Sequence, residues 1–418
     1  MSSLTHLECS ACGHRLEPQR PWQLCPTCEH PLLARYDLDG IGRAVSRAEL
    51  ERRPAGMWRY RELLPLRDPD GAVSLGEPAT PLLRVPRLAG HLGLDGLLVK
   101  DEGALPTGTF KARGAAVGVS RAVELGVRTL ALPTAGNAGA AWAAYGARAG
   151  LEVVVVMPET TPSVIRRETA ACGARVYLVP GSIADAGAVV REGCERYGWY
   201  DASTLKEPYR IEGKKTMGFE LADQLGWRLP EVIVYPTGGG VGLIGMWKGF
   251  QELRSLGWLP PGSPGPRFVA AQSAGCAPVV RAFERHAERT EAWADPATFA
   301  AGIRVPKPLG DVLILRALRE SSGTAVAVSD QTIAATMELG GAAEGLVVCP
   351  EGAAALAAAA RLRQDGWIGR DETVAVFNTG TGLLYEDSLP GREPRLLAAG
   401  EPLPAGAAGR SVAGNRRG

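Results

Sequence analysis

Short runs of apolar, largely β-branched residues recur along the middle of the chain, from about residue 41 to residue 387. The runs are continuously apolar and do not alternate with polar residues, which is typical of strands covered on both faces of a sheet. Alanine-rich stretches with helical character lie between several of them. Strands are predicted at 97–100, 129–132, 153–157, 175–179, 232–235, 268–271, 325–328, 346–349 and 374–377. Helices are predicted at 113–125, 138–149, 242–256 and 352–363.

This alternation predicts an α/β architecture in which parallel strands are joined by crossover helices. Residues 1–40 show neither helical nor strand periodicity and are rich in cysteine, proline and histidine. Residues 388–418 are rich in Pro, Gly, Ala and Arg and contain few large apolar residues, which predicts a disordered tail. Ligands of parallel α/β sheets bind at the carboxyl ends of the strands, so we expect the chemistry in the loops that follow them.

The charge balance of the chain narrows its class of function. The 418 residues include 46 Lys and Arg against 45 Asp and Glu, which gives a formal net charge of +1. A protein that holds a phosphate backbone or an anionic membrane needs a basic excess, so we expect neither nucleic acid nor membrane as a partner. The first residues lack the cationic and apolar pattern of a secretory signal, which predicts a cytoplasmic location.

A glycine-rich loop follows the strand predicted at 232–235. Glycines let successive amide N–H groups turn toward one anion, and the N-terminus of the helix that follows adds a favourable field. A dinucleotide is disfavoured because the next strand ends in Gln272 and not in an acid, and a P-loop is excluded because no Lys-Ser/Thr follows. A tight turn without ligand is the alternative. The candidate phosphate ligands are Gly238, Gly239, Gly240, Val241 and Gly242.

Three other predicted strand ends are followed by single residues of chemical interest. Lys111, one of seven lysines, lies among small residues and hydroxyls at a predicted helix start, where burial and a positive field favour a neutral Schiff-base amine. Asn137 either presents its amide to a planar ligand or caps the next helix. Thr379 offers a neutral hydroxyl or a helix cap. Together with a phosphate cradle, these groups are what pyridoxal phosphate (PLP) requires.

The order of these motifs resembles that of the PLP-dependent enzymes of fold type II, and among them the threonine synthases. The resemblance extends from about residue 76 to residue 383 and includes the segments 106–114, 208–216 and 350–354. It implies two α/β lobes with PLP between them, a large lobe from 41–112 and 208–387 and a small mobile lobe from 113–207. It also implies a homodimer.

By this resemblance, Lys111 forms the Schiff base with PLP and then acts as the catalytic base. Asn137 contacts the 3′ oxygen of the cofactor, the loop Gly238–Gly242 binds its phosphate, and Thr379 bonds the pyridine nitrogen. The reaction implied is the conversion of O-phosphohomoserine and water to threonine and phosphate by β,γ-elimination and replacement. The residues expected to bind this amino-acid substrate are Thr107, Thr109, Thr134, Arg210 and Lys214.

Glu207 departs from the family pattern, which has asparagine at this position. A carboxylate next to the substrate phosphate is repulsive. Either Glu207 points away and Lys206 takes its place, or the substrate carries no phosphate. The second option leaves a serine/threonine dehydratase or a β-replacement enzyme of the same fold as the alternative. A binding or regulatory protein with an inactive body is disfavoured by the intact Lys111, Asn137 and glycine loop.

Two cysteine pairs in the N-terminal segment have the spacing of metal-binding knuckles. Cys9-x-x-Cys12 and Cys25-x-x-Cys28 are separated by 12 residues. With no secretory signal, ligation of a metal is favoured over a disulfide framework. The segment 1–40 is therefore predicted to be zinc-ribbon-like, with a closed four-thiolate Zn site that serves structure and not catalysis. Free thiols are the alternative, and His14 and His30 are possible substitute ligands.

Overall fold

Three sheets organise the chain in the computed structural model, which describes residues 3–391 and 396–399. The strands are β1 (Leu4–Cys9), β2 (Arg15–Leu16), β3 (Leu32–Tyr36), β4 (Leu82–Arg84), β5 (Leu97–Asp101), β6 (Thr129–Pro133), β7 (Glu152–Pro158), β8 (Arg175–Val179), β9 (Tyr200–Asp201), β10 (Val232–Pro236), β11 (Arg267–Ser273), β12 (Thr324–Val328) and β13 (Val374–Asn378).

Helices connect most of these strands, as expected for parallel sheets. They are α1 (Leu38–Ala44), α2 (Arg47–Glu51), α3 (Pro86–Leu92), α4 (Lys111–Glu124), α5 (Ala138–Ala149), α6 (Ser163–Ala171), α7 (Ile183–Tyr197), α8 (Arg210–Gln224), α9 (Val241–Ser255), α10 (Pro278–Glu284), α11 (Asp311–Glu320), α12 (Asp330–Glu344) and α13 (Pro350–Gln364).

The larger sheet has the strand order β12-β11-β10-β13-β5-β4. Its strands run parallel except β4, which pairs antiparallel with β5 at the edge. Every residue of β10 and β13 is buried, because helices cover both faces of the sheet. This burial explains the unbroken apolar runs in the sequence. The carboxyl ends of β5, β10 and β13 lie side by side, which places the loops after them at one edge.

The smaller parallel sheet has the order β8-β7-β6-β9, and its strands all lie between residues 129 and 201. The chain enters this sheet after α4 and leaves it before α8. These two connecting helices pack closely, because Gly114 and Gly213 bring their backbones together. A Cβ on Gly213 would collide with the carbonyl oxygen of Arg113, and one on Gly114 would lie 3.1 Å from the carbonyl oxygen of Arg210.

Two expectations about secondary structure are wrong. Residues 346–349 do not form a strand, since Val348 makes only an isolated bridge to Thr381 and Cys349 caps helix α13. The N-terminal segment is not without strands, because β2-β1-β3 form a small antiparallel sheet. Most of the predicted tail, 392–395 and 400–418, lies outside the described residues. None of the helices within the described residues is long and apolar enough to cross a membrane.

Candidate active site

Lys111 is the first residue of α4, and the turn before it is tied to the end of β13. The amide of Phe110 donates to the carbonyl oxygen of Thr379 over 2.9 Å, and Thr109 forms an isolated bridge with Gly380. Thr107 in the same turn has a φ of 60°, a left-handed conformation that is rare for residues other than glycine. Such outliers concentrate at functional sites, so the conformation of this turn marks the region around Lys111.

The surroundings of Lys111 favour a neutral amine. Its Nζ atom lies 4.3 Å from the centroid of the Phe110 ring. Burial and then the charge of Arg210 together lower the pKa of the Lys111 amine to about 8, against the opposing effects of Glu351 and Cys349. A lysine that is partly deprotonated near neutral pH can act as a nucleophile and as a proton carrier.

The loop from Gly238 to Gly242 presents free amide donors at the start of α9. None of its five amide N–H groups donates to an acceptor within residues 3–391 and 396–399. Gly240 has a φ of 73° and occupies the N-cap position, and a Cβ on Gly242 would collide with the Tyr235 hydroxyl. Unpaired amides at a helix N-terminus attract an anion, so this loop fits a phosphate group.

Aromatic and aliphatic contacts link the loop to Lys111. The ring of Tyr235, which faces Gly242, lies 6.1 Å from the ring of Phe110. The Nζ atom of Lys214 lies 4.2 Å from the same Phe110 ring, and its Cβ atom is 2.9 Å from where a Cβ of Gly245 would be. The amine and the phosphate cradle therefore belong to one site.

Asn137 starts helix α5 of the smaller sheet without capping it, so the interpretation as a helix cap is wrong. Its Nδ2 atom donates to the Tyr385 hydroxyl over 3.2 Å, and its buried Oδ1 atom has no partner among the described residues. Tyr385 in turn donates to Oε1 of Glu351 over 2.9 Å. A buried, half-satisfied amide is expected where a ligand completes the bonding.

Glu351 connects this chain of bonds to the phosphate cradle. Its Oε1 atom accepts a hydrogen bond of 2.6 Å from the amide of Gly302, and the carbonyl oxygen of Gly302 lies 2.6 Å from where a Cβ of Gly238 would be. No role for Glu351 or Tyr385 was predicted from the sequence. Glu351 lies in the segment 350–354, which carried part of the resemblance, whereas Tyr385 follows the last strand in a turn without a motif.

Thr379 follows β13 with a nearly buried side chain. Its Oγ1 atom lies 3.8 Å from Sγ of Cys349, and Thr381, not Thr379, caps the short helical turn that follows. This weak bond to sulfur is the one hydrogen bond of the Thr379 hydroxyl among the described residues, which leaves it a further bond for a ligand nitrogen. Its place beside Phe110 brings it to the same edge as Lys111.

The five residues expected to bind substrate differ in how many hydrogen bonds their side chains already make. The Thr107 hydroxyl is buried without a partner in the described structure, whereas Thr134 bonds to Gly136 and Thr109 accepts from the Lys111 amide over 3.3 Å. The Nε atom of Arg210 donates no hydrogen bond to a described residue. The amine of Lys214 is engaged by the carbonyl oxygen of Phe110, and burial lowers its pKa well below the usual value.

Glu207 caps α8 from a fully buried position. Its carboxylate accepts from the amides of Tyr209 over 2.6 Å and Arg210 over 2.8 Å, and it lies 3.6 Å from Nε of Arg210. Burial raises its pKa, and Arg210 opposes this effect. Lys206 pairs with Asp201 at 2.7 Å, so its amine is engaged there, and its approach to the substrate stays a prediction.

The four N-terminal cysteines meet as the spacing predicted. The Sγ atoms of Cys9 and Cys28 are 3.4 Å apart, those of Cys12 and Cys25 are 3.7 Å apart, and all four lie within 4.8 Å of one another. The four cysteines are free thiols, and a disulfide would require about 2.05 Å. Zn–S bonds of about 2.3 Å in a tetrahedron place sulfurs roughly 3.8 Å apart, so the cluster fits Zn.

Comparison with known proteins identifies the family. The profile of the pyridoxal-phosphate dependent enzymes matches residues 73–380. The threonine synthase of Methanosarcina acetivorans is 38% identical over 377 residues, which are 90% of this chain and 91% of that protein. The threonine synthase of Methanocaldococcus jannaschii is 36% identical over 91% of this chain and 93% of its own length. The chain belongs to the threonine synthase family.

The fold is shared more widely than this family. A solved threonine deaminase from T.th. has a TM-score of 0.60 and 26% identity over 76% of this chain and 94% of its own. The threonine synthase family is one of PLP-dependent lyases, and the predictions of α/β fold type II, of the enzyme class and of PLP as cofactor are confirmed. The groups that the structure brings together fit PLP: a half-buried amine with a lowered pKa, five amides without an acceptor in the described part of the chain, a half-satisfied side-chain amide and a neutral hydroxyl.

Proposed function

We propose that this chain is a threonine synthase that converts O-phosphohomoserine and water to threonine and phosphate. The observation that supports it most is that the rings of Phe110 and Tyr235 connect Lys111 to the glycine loop, in a chain that is 38% identical to a threonine synthase over nine-tenths of its length. PLP supplies the electron sink that stabilises negative charge on the substrate carbons.

The hydrogen-bonding groups of the site indicate how PLP would bind. The amides of Gly238–Gly242 would hold its phosphate, and the Lys111 amine would hold its aldehyde carbon. Asn137 would bond the 3′ oxygen from across the cleft, and Thr379 would bond the ring nitrogen. A hydroxyl does not favour a protonated ring as a carboxylate does, which suits elimination and replacement better than transamination.

Lys111 is the residue proposed to move protons. With substrate bound, the Nζ atom of Lys111 would accept the proton at Cα and return it to another substrate carbon, because a pKa of about 8 leaves part of the free amine neutral near pH 7. The Phe110 ring covers one side of this half-buried lysine.

Arg210 is the best candidate for the substrate phosphate. Its Nε atom donates no hydrogen bond to a described residue and lies 3.6 Å from a Glu207 oxygen, and its other nitrogens bond Thr204 and the carbonyl oxygen of Ala202, which fixes the guanidinium in place. Glu207 offsets part of this charge, but its carboxylate is directed to the amides at the start of α8. The phosphorylated substrate is therefore compatible with Glu207, and a dehydratase is the second candidate.

The deciding experiment compares product release from three substrates. We expect phosphate and threonine from O-phosphohomoserine, and at most traces of ammonia from serine or threonine. Ammonia without phosphate would assign the dehydratase. Lys111→Ala should lose turnover and the covalent trapping of PLP by borohydride, whereas Lys307→Ala, a half-exposed lysine outside the site, should retain both.

Several further expectations stay proposals. We propose that Zn occupies the Cys9, Cys12, Cys25 and Cys28 cluster, supported by the sulfur separations. The division into lobes at 113 and 207 is supported by the confinement of β6–β9 to residues 129–201. The homodimer, the cytoplasmic location and the absence of nucleic-acid or membrane partners stay predictions from the sequence.

A further inference from the structure

The N-terminal segment lies on the part of the chain that delivers Arg210 to the site. We propose that the metal-bound ribbon, residues 3–36, is a clamp that holds segment 202–209 and thereby positions Arg210 for its anionic ligand. The inference deepens the proposed function in one respect, since it takes Arg210 as the phosphate-binding residue. The clamp itself is a claim about contacts and can be tested without turnover.

The loop between the two cysteine pairs contacts both ends of segment 202–209. At one end, the Tyr200 hydroxyl donates to the carbonyl oxygen of Trp22 over 3.1 Å, and Nε2 of Gln23 donates to the carbonyl oxygen of Asp201 over 3.0 Å. At the other end, the Tyr209 hydroxyl donates to the carbonyl oxygen of Pro18 over 3.3 Å. Three bonds from one loop therefore fix the positions where the segment begins and ends.

Segment 202–209 wraps around the side chain of Arg210. The guanidinium donates to the carbonyl oxygen of Ala202 and to Oγ1 of Thr204, and the Arg210 amide donates to Glu207. The guanidinium also lies 4.9 Å from the Trp142 ring of the smaller sheet's helix α5. A shift of Asp201 or Tyr209 would move these acceptors, so the geometry of Arg210 depends on the clamp.

The ribbon needs the metal to perform this role. Its three strands are short, and a segment of this length buries too little apolar surface to order itself. Cys9 and Cys25 are buried in the same apolar cluster as Leu16 and Tyr209, so the metal would fasten the ribbon where it meets the body. Metal binding in such modules is coupled to their folding.

A fourth hydrogen bond anchors the C-terminal end of the ribbon, at Tyr36. The Tyr36 hydroxyl donates to Oε2 of the buried Glu212 over 2.7 Å, and Lys215 lies 4.0 Å above the Tyr36 ring. Glu212 and Lys215 lie in the first turns of α8, directly after Arg210. The ribbon therefore contacts α8 from the side as well as the segment that leads into it.

The test uses the full-length holoenzyme and two variants. Cys12→Ser should lose Zn measured by atomic emission, and segment 202–209 should then exchange amide hydrogen faster in mass spectrometry. Its KM for O-phosphohomoserine should rise by about 10-fold while PLP absorbance is unchanged. Gln23→Ala keeps all four thiolates and should raise KM roughly 3-fold, because one hydrogen bond is worth about 0.5–1.5 kcal/mol. Cys172→Ser, outside the cluster, is the matched control.

The outcomes separate the clamp from the proposed function. Loss of Zn with unchanged exchange in 202–209 would overturn the clamp, as would a wild-type chain that is purified under reducing conditions with Zn present and contains none. If the wild-type chain releases no phosphate, the proposed function fails, and the exchange data still decide the clamp. If Cys12→Ser does not fold, exchange and KM of Gln23→Ala decide it, and wild-type values there would refute it.

Discussion

The amide nitrogen of Asn137 lies 3.2 Å from the hydroxyl oxygen of Tyr385, and this bond joins the two parallel sheets across the site. Asn137 starts a helix of the smaller sheet, whereas Tyr385 follows the last strand of the larger one. Glu351 accepts a hydrogen bond from this hydroxyl, so the direction of the chain of bonds is fixed. Tyr385 is therefore a positioning residue that orients the Asn137 amide.

Tyr385→Phe should lower kcat/KM by about 10-fold, since the Asn137 amide loses its partner and can rotate. We expect the absorption maximum and the pH titration of bound PLP to shift as well, which a purely structural role would not cause. Tyr60→Phe is a matched control, because Tyr60 is buried and donates to Asp223 over 3.1 Å away from the site. Wild-type kinetics and spectrum in Tyr385→Phe would contradict this role.

Capture of PLP by the apoenzyme should depend on pH in a way that reports the Lys111 amine. Only the neutral amine reacts, and with a pKa of about 8 its neutral fraction rises about fivefold from pH 7 to 8 and less than twofold from pH 8 to 9. Stopped-flow absorbance measures this rate. A rate that climbs tenfold per pH unit up to pH 10, as for a free lysine derivative, would show an unshifted amine.

Removal of the neighbouring positive charge should move this pH profile. Arg210→Gln takes away a cation that lowers the Lys111 pKa, so the midpoint of PLP capture should shift to higher pH. The same stopped-flow measurement checks it. A midpoint that stays in place or falls would mean that Arg210 does not act on the amine.

Gly242→Ala should weaken PLP binding by more than about 10-fold, or about 1.4 kcal/mol. A Cβ at this position would collide with the Tyr235 hydroxyl, so the backbone amides of the loop must move. Equilibrium titration of the apoenzyme measures the affinity. Gly341→Ala in α12 has open space around the new methyl group and should bind PLP as the wild type does; equal affinities of the two variants would exclude the loop as the phosphate cradle.

Arg113→Leu should lower the free energy of unfolding by about 3–5 kcal/mol, because it leaves buried carboxylates without their partner. Arg113 is fully buried and bonds Glu102 over 2.6 Å and Glu220 over 2.7 Å. Urea and thermal midpoints measure the loss. Arg370→Leu breaks an exposed pair with Asp95 and should cost at most about 1 kcal/mol. Similar losses in both variants would contradict this account.

The sequence predicted the parallel strands well because their burial on both faces leaves an unbroken apolar run. The apolar run at 346–349 was wrongly predicted as a strand for the same reason. Val348 and Cys349 are buried, but helix α13 begins directly after them at Pro350. Helix α8 was not predicted because it has no apolar face. It is buried almost throughout, and its charged residues are paired with partners that are distant in sequence.

Within the site, residues that follow predicted strands could be found from the sequence, since strand ends of a parallel sheet share an edge. Lys111, Asn137, the glycine loop and Thr379 all follow this rule. Tyr385 could not be found in this way, because its contact with Asn137 depends on how the two sheets face each other. The orientation of the Glu207 side chain depends on hydrogen bonds that it accepts from two backbone amides. No pattern of residue types in the sequence predicts these bonds.

The close contact of α4 and α8 at Gly114 and Gly213 has a consequence for chimeric proteins in which the smaller sheet is exchanged. Each helix begins at a residue of the site, Lys111 or Arg210, and no side chain separates the two backbones where they touch. The spacing of the two helix starts is thus set by the helix pair and not by the smaller sheet. Chimeras that exchange residues 129–201 with a relative should keep that spacing while changing the contact of Trp142 with the Arg210 guanidinium.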